Sequence, residues 1–214
     1  MISLIYNCSG LNLVAAIYQN QQLVISRQIS ESHKHSEIMV ATIDDMLKQQ
    51  NLHYYNLDLI ATAKGPGSFT GLRVGLAFLK TLQTMLNIKV MAIDNFTLYA
   101  YQYYQNIKQQ KLEDHNIFVA LDSGNQNVYL CGFNIKKEGI NKNFFIKILG
   151  YTDFAQYYAE NQQNIFIGNA KYLTNNTMSE ISINSLFEIS WLRYNNLNSG
   201  FNFDDKVEII YNIQ

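Results

Sequence analysis

The sequence predicts a mixed α/β fold built from two halves, each a three-stranded meander followed by alternating helices and strands. Three observations predict it. Apolar runs come as a group of three at the start, Ile2–Asn7, Asn12–Tyr18 and Leu23–Ile29, divided by the polar turns Ser9-Gly10 and Gln19–Gln22. After them, helical spacing and compact apolar runs take turns, the pattern of a sheet covered by helices. The same opening then returns in mid-chain. LIYNCSGLNLVAAIY from Leu4 and VALDSGNQNVYLCGF from Val119 share an apolar strand, a polar turn and an alternating strand, at an offset of 115 positions that sets Asp122 over Asn7.

Each element follows in order. A helix begins near Ser36, a good N-cap with Glu37 in the first turn, and Met39, Ile43, Met46 and Leu47 recur at helical spacing to about residue 49. Leu57–Ala63 is a compact apolar strand, Lys64–Ser68 a loop, and Phe69–Leu86 a second helix. Val90–Ile93 reads as a strand and Asn95–Gln109 as a helix, so the first half is βββαβαβα. The second half opens with strands at Ile117–Asp122, Asn127–Asn134 and Asn143–Leu149, the first two joined by the turn Ser123-Gly124-Asn125. A helix at Phe154–Asn161, a strand at Ile165–Gly168 and a closing helix with the stripe Leu186, Phe187, Ile189, Trp191 and Leu192 complete it. The expected lobes are residues 1–110 and 111–214, the second abbreviated, with the C-terminal segment packing back on the first. Duplicated halves of this kind are the ribonuclease-H-like lobes of the actin, Hsp70 and sugar-kinase superfamily. There the turns after the first strand of each half hold nucleotide phosphates. Fold by itself licenses no function.

Composition narrows the classes. Of 214 residues 48% are apolar, enough for a sizeable core, and the net charge of −1 excludes both disorder and an unaided grip on a phosphate backbone. Two cysteines, Cys8 and Cys131, make no disulfide framework and no Cys-x-x-Cys. Met1–Asn20 carries no Lys or Arg, and its apolar residues are interrupted by Asn7, Ser9, Gly10 and Asn12. That is neither a signal peptide nor a membrane span, and a cytoplasmic protein with no membrane contact is expected.

The most informative stretch runs from Ala63 to Gly75. The single proline of the chain, Pro66, stands between Gly65 and Gly67. Pro66 fixes φ and Gly67 permits positive φ, which describes a tight strand-to-helix turn. Ser68 is placed to cap the helix by accepting from the N–H of Thr70 or Gly71. Neither G-x-x-x-x-G-K-[ST] nor G-x-G-x-x-G occurs, so the phosphate-loop reading is weak. In the helix that follows, Leu72, Val74, Leu76, Ala77, Phe78, Leu79, Leu82, Met85 and Leu86 lie on nearly every side, and Arg73 and Lys80 are its only charges. A helix apolar all round is either buried on all sides or covered by another protein. The first helix also carries apolar residues beyond one stripe, Ile38 and Val40. The expected partner face is therefore Ile38, Met39, Ile43 and Met46 with Gly71, Leu72, Arg73, Gly75, Leu76 and Leu79. Gly65, Pro66, Gly67 and Ser68 set the helix direction, Gly71 and Gly75 allow close helix approach, and Arg73 reaches a carboxylate or carbonyl across the seam. A bulky Gly75→Leu change is expected to abolish pairing with little loss of folding.

Gly65–Gly75, read as GPGSFTGLRVG, resembles the signature of the TsaB family, also called YeaZ, accessory subunits in bacterial synthesis of threonylcarbamoyladenosine in tRNA. His35-Ser36-Glu37 before an apolar helix, Asp122 and Tyr129 in Val119–Tyr129, and Tyr211 also match family positions. There are departures. Asn7-Cys8 stands where members usually carry Asp-Thr. Ser123-Gly124 stands where an alanine and arginine are usual, and the residues around Tyr211 lack the family's proline and arginine. The resemblance implies a degenerate paralogue of the catalytic subunit TsaD, pairing with it through the first two helices. With the ATPase TsaE it supports threonylcarbamoyl transfer to N6 of adenosine 37. It further implies no cofactor on this chain, ATP and metal on the partner subunits, and tRNA reached through the complex; from the apolar helix face itself, a homodimer is expected when the chain is alone.

Enzyme readings are thinner. A metal-bearing relative needs His-x-x-x-His on a helix, and none of His33, His35, His53 and His115 are four apart. A small-molecule kinase of the actin-like superfamily is the alternative. It needs carboxylates at both hairpin turns for Mg²⁺–nucleotide, whereas Asn7 is neutral and Asp122 alone remains. Asp122 is expected to cap its own turn, and Cys8 to be a half-buried thiol. The 15 tyrosines and 12 phenylalanines are not interleaved with Lys or Arg and read as packing. Tyr101–Tyr104 on a helix surface near Lys108 and Lys111 is the one place a minor tRNA contact is considered.

Overall fold

The computed structural model describes residues 1–30, 35–108, 113–123, 125–137, 139–171, 173, 178, 180–197 and 207–208, with backbone alone at 35–36 and 142–145. The elements run β1 (Ile2–Asn7), β2 (Leu13–Gln19), β3 (Gln22–Ile29), α1 (His35–Gln49), β4 (Leu59–Ala63), α2 (Phe69–Leu86), β5 (Lys89–Ile93) and α3 (Asn95–Ile107). They continue as β6 (His115–Asp122), β7 (Asn127–Lys136), β8 (Gly139–Gly150), α4 (Tyr151–Glu160), β9 (Ile165–Gly168) and α5 (Ile183–Tyr194).

Two sheets result. The first has the order β3-β2-β1-β4-β5 and the second β8-β7-β6-β9. In each, the first three strands pair antiparallel and the next pairs parallel to the first, so the second sheet repeats the first without its last strand. Asn7 pairs with Val14 at the end of β1, and Asp122 with Val128 at the end of β6, so the repeat sets Asn7 and Asp122 at matching strand ends while the second hairpin connection is one residue shorter than the first. This is the duplicated ribonuclease-H-like architecture, with the second lobe abbreviated.

Strand periodicity decides the layers, because alternate side chains point to opposite faces. On β1, Leu4 and Tyr6 face a core shared with Met39, Ile43 and Met46 of α1 and Leu76, Leu79 and Leu82 of α2. Ile5, between them, faces the opposite core, where Phe96 and Tyr99 of α3 and Leu186, Phe187 and Ile189 of α5 meet Ile117 and Val119 of β6. Ala120, Val128 and Leu130 of the second sheet pack outward on Phe154 of α4. The molecule is thus five layers deep: α1 and α2, the first sheet, α3 and α5, the second sheet, and α4. The inner strands β1 and β4 are covered on both faces, which is why they read as nearly continuous apolar runs, whereas the edge strand β3 has no buried residue.

The closing helix α5 packs on strands of the first sheet, where the Tyr18 and Phe187 rings stack 3.8 Å apart and the Tyr18 hydroxyl donates to Asn184. Other expectations shift in detail. Helix α1 starts at His35, so Ser36 lies inside it. β8 runs from Gly139, four residues before the expected start, and α4 begins at Tyr151 because Gly150 closes β8. The 3-10 turn Tyr54–Asn56 has no counterpart in the sequence reading. His33, Gln109, Lys111, Gly124 and Tyr211 lie outside the described residues. Among the described residues no helix is long and apolar enough to cross a membrane.

Candidate functional site

The informative loop sits at the carboxyl ends of β1 and β4, the end of such a sheet where crossovers leave a site. Its conformation differs from the expected one. The Gly65-Pro66 peptide is cis, and the positive φ of 98° falls on Gly65 instead of Gly67. Gly67 is required for a different reason: a Cβ there would stand 2.4 Å from the Ser9 carbonyl oxygen, so the loop lies against the β1–β2 turn. Ser68 caps α2, its Oγ accepting from the Gly71 N–H at 3.4 Å, and its own N–H donates to the Ser9 carbonyl at 2.8 Å.

A buried polar cluster lies under this loop. The Asn7 carboxamide oxygen accepts from the Ser9 N–H at 2.9 Å and from the Ser9 hydroxyl at 2.7 Å. The Asn95 amide donates to Ser9 Oγ at 2.9 Å and to the Pro66 carbonyl at 2.7 Å, and the Asn95 N–H donates to Gly65 at 2.7 Å. Asp94 caps α3, accepting from the Thr97 N–H and hydroxyl at 3.0 and 2.7 Å. Lys64, at the end of β4, is buried beside them. Sequence reading passed over Ser9 and Asn95 because their partners are far away along the chain; the only local signal was Asp94-Asn95 ahead of a helix.

At the matching turn of the second half, the Asp122 carboxylate accepts from the Tyr151 hydroxyl at 3.0 and 2.9 Å, and the Asp122 N–H donates to Asn169 at 3.1 Å. The turn after it is supported by Ser123, whose Oγ accepts from the Asn125 N–H at 3.2 Å. Tyr151, at the start of α4, had no part in the sequence reading.

Helices α1 and α2 present a different surface from the expected one. Met39, Ile43, Met46, Leu72, Leu76 and Leu79 are buried in the chain's own core, and Ile38 is partly buried against it. The physical reason is that the outer face of the first sheet needs two apolar helix stripes to cover it, and these residues supply them. Gly71 and Gly75 are buried as well, and they serve the chain's own packing. A Cβ on Gly71 would meet the Cys8 carbonyl oxygen at 1.9 Å, and one on Gly75 would meet Tyr6, Cys8 and Thr62 at 3.5–3.8 Å. A leucine at Gly75 would therefore press on β1 and disturb the fold, contrary to the expectation of little loss.

The residues that α1 and α2 leave in solvent include Glu37, Val40, Ala41, Asp45 and Lys48 on α1 and Phe69, Thr70, Arg73, Ala77, Lys80, Thr81, Gln83, Thr84 and Met85 on α2. Phe69 is 51% exposed and Met85 74%, and the Arg73 guanidinium lies 3.7 Å over the Phe69 ring. Leu11, in the β1–β2 turn, is 76% exposed.

The remaining candidates are structural. Cys8 is fully buried instead of half-buried, with its Sγ 3.3 Å from the Met39 sulfur, and burial pushes its thiol up to about 12. Tyr6 donates to the Gly75 carbonyl at 2.7 Å, and burial, then the neighbouring Cys8, raises its hydroxyl well above the usual tyrosine range. His53 stacks on Tyr55, and His115 lies between Tyr103 and the Glu113 carbonyl. Tyr101 is buried between the lobes, its hydroxyl 3.2 Å from Glu188, and Tyr103 and Tyr104 pack against the same core. The tyrosines of α3 are packing residues and not an open surface.

Comparison with known proteins agrees with this geometry. The family model described as TsaD, tRNA N6-adenosine threonylcarbamoyltransferase, matches residues 24–183. The tRNA threonylcarbamoyladenosine biosynthesis protein TsaB of Buchnera aphidicola subsp. Acyrthosiphon pisum is 24% identical over 127 residues, covering 58% of this chain and 54% of that protein. The TsaB protein of Haemophilus influenzae is 28% identical over 134 residues, covering 61% and 52%. The chain thus spans about half the length of the curated relatives it matches. In fold it is similar to YeaZ from Pseudomonas aeruginosa, with a TM-score of 0.72 at 15% identity, covering 98% of this chain and 100% of that one. The chain belongs to the family described by the TsaD model, and the relatives it is similar to in sequence and fold include TsaB and YeaZ proteins.

Proposed function

We propose that this chain is a non-catalytic scaffold subunit of the complex that transfers a threonylcarbamoyl group to N6 of adenosine 37 of tRNA. In this reading it binds and activates a TsaD-type catalytic homologue together with a TsaE-type ATPase, and it meets tRNA only through the assembly. The observation that carries the reading is Asn7. The turn after β1 is where a nucleotide-using relative needs a charged oxygen, since a hard dication prefers carboxylates. Here the residue is a neutral amide whose oxygen already accepts twice from Ser9. The matching carboxylate, Asp122, accepts from Tyr151. These two turns support the reading in which ATP and metal are held by the partner subunits.

The docking face in this reading is the outward side of α1 and α2. Phe69, at the start of α2 with Arg73 over its ring, and Met85, at the end of α2, are its exposed apolar side chains. Exposed aromatic and thioether side chains are enriched in protein interfaces. In this reading, without the homologue two copies of the chain pair through the same face, an isologous contact about a twofold axis.

Co-purification with the catalytic homologue, followed by sedimentation of the mixture and of the chain alone, tests the proposal. A stoichiometric complex with the homologue and a dimer of the isolated chain are expected. A monomer that binds no homologue, or a chain that turns over nucleotide by itself, would contradict it.

A further inference from the structure

Asn95 is the first residue of α3, and α3 lies between the two sheets. Its backbone and side chain make three hydrogen bonds to two other segments: to Gly65 and Pro66 in the loop before α2, and to Ser9 in the β1–β2 turn. Ser9 passes the connection on, its hydroxyl donating to Asn7 at 2.7 Å and its carbonyl accepting from the Ser68 N–H at 2.8 Å. Asn95 is 4% exposed, and its side-chain oxygen is buried with no hydrogen-bond partner among the described residues. A buried acceptor left unpaired is costly. The residue is therefore explained by its two N–H donors, whose orientation is dictated by the Pro66 carbonyl, an acceptor only.

We propose that Asn95 is the positioning residue that ties the direction of α2 to the seam between the lobes. The proposal rests on the scaffold reading above, because the direction of α2 matters only if α2 presents the partner face. The other side of α3 is held by the second lobe's elements. Tyr101 lies 3.2 Å from Glu188, and the Ser182 N–H donates to Gln102 at 2.9 Å. Phe96 and Tyr99 share a core with Ile117 and Val119 of β6. The position of α3 is thereby set by the second sheet and α5, and the Asn95 amide carries that position to the Gly65–Ser68 loop and so to the first turn of α2. This assigns the second lobe a task in the scaffold reading.

The test uses the full chain and its catalytic homologue. Asn95→Asp keeps the size of the side chain and, ionised, has no donor. Ser9→Ala removes only the middle link and serves if the first variant does not fold. Ser190→Ala, in α5, removes a buried hydroxyl that donates to the Leu186 carbonyl at 2.7 Å and touches no part of the loop. Binding affinity, Tm and amide hydrogen exchange over residues 65–71 are measured for each. Asn95→Asp is expected to weaken binding about tenfold and to speed loop exchange about tenfold, with Ser9→Ala acting in the same direction less strongly. Ser190→Ala, brought to the same stability, is expected to leave both unchanged. Wild-type affinity with unchanged loop exchange in Asn95→Asp and Ser9→Ala, or equal weakening by Ser190→Ala, would overturn the positioning role and leave the scaffold reading standing. Failure of the wild-type chain itself to bind would remove both.

Discussion

The Gly71 backbone lies so close to the Cys8 carbonyl that a Cβ on Gly71 would stand 1.9 Å from that oxygen. Helix α2 rests on the end of β1 at this contact, one turn after its Ser68 cap. Gly75, one turn further on, has ordinary van der Waals room, with its nearest atom, a Tyr6 ring carbon, at 3.5 Å. The two glycines look alike in the sequence and differ in what stands above them.

Gly71→Ala is expected to cost about 2–3 kcal/mol, since backbone has to move to admit the methyl group. Gly75→Ala is expected to be neutral or to stabilise by up to about 1 kcal/mol, because alanine is the better helix former. Thermal melts of the two variants measure the contrast, each kcal/mol shifting Tm by about 2–4 °C at this size. Equal losses would contradict the packing described.

Met85→Asp probes the outward side of α2, and Met39→Ala probes the inward side of α1. Met85 is 74% exposed, so the aspartate is expected to leave Tm within about 2 °C while weakening homologue binding at least about tenfold. Met39 is buried beside Cys8, and its truncation is expected to cost about 2–5 kcal/mol. Binding isotherms and melts run together separate the two faces. A loss of stability without a loss of binding in Met85→Asp would move the docking face elsewhere.

High pH is expected to destabilise the fold. Burial raises the Cys8 thiol from 9.0 to about 12. The Tyr18 and Tyr99 hydroxyls rise from 10.0 to about 12, through burial first and then Glu188 and Glu180 respectively. Between the ordinary and the raised values the unfolded chain loses protons that the folded chain keeps. Stability is therefore full below about pH 9 and falls as pH rises towards 12. Urea midpoints from pH 7 to 11 measure the slope, and a rising midpoint would contradict it.

The same burial protects the thiols. Neither Cys8 nor Cys131 is expected to react with a thiol-disulfide reagent at pH 8 in the folded chain, and both are expected to react once it is denatured. Rapid labelling of either in the native protein would show an opening that the packing does not contain.

Elements and topology were legible where a signal is local. The period-two strands, the Ser68 cap and the glycine-proline turn each leave their mark within a few residues, and so does the repeat that sets Asp122 over Asn7. Exposure was not legible. Met39, Leu72 and Leu76 recur at helical spacing, and that spacing is the same for a stripe facing a sheet and one facing a partner. Only the arrangement of two helices on one sheet shows that the sheet claims them, leaving Phe69, Arg73 and Met85 outside. The turn chemistry was half legible. Gly65 and Gly67 were found together, and only the backbone shows which has positive φ and which lies against Ser9. The Asn95–Ser9 bond spans 86 residues, and nothing near either residue announces the other.

Reconstituted threonylcarbamoylation of tRNA tests the central claim most directly. The catalytic homologue and the ATPase are assayed with and without this chain, and the chain is assayed alone. The account predicts no transfer by the chain alone and at least a tenfold gain in transfer when it joins the other two. Transfer by the isolated chain, or equal transfer by the homologue and ATPase in its absence, would contradict the account.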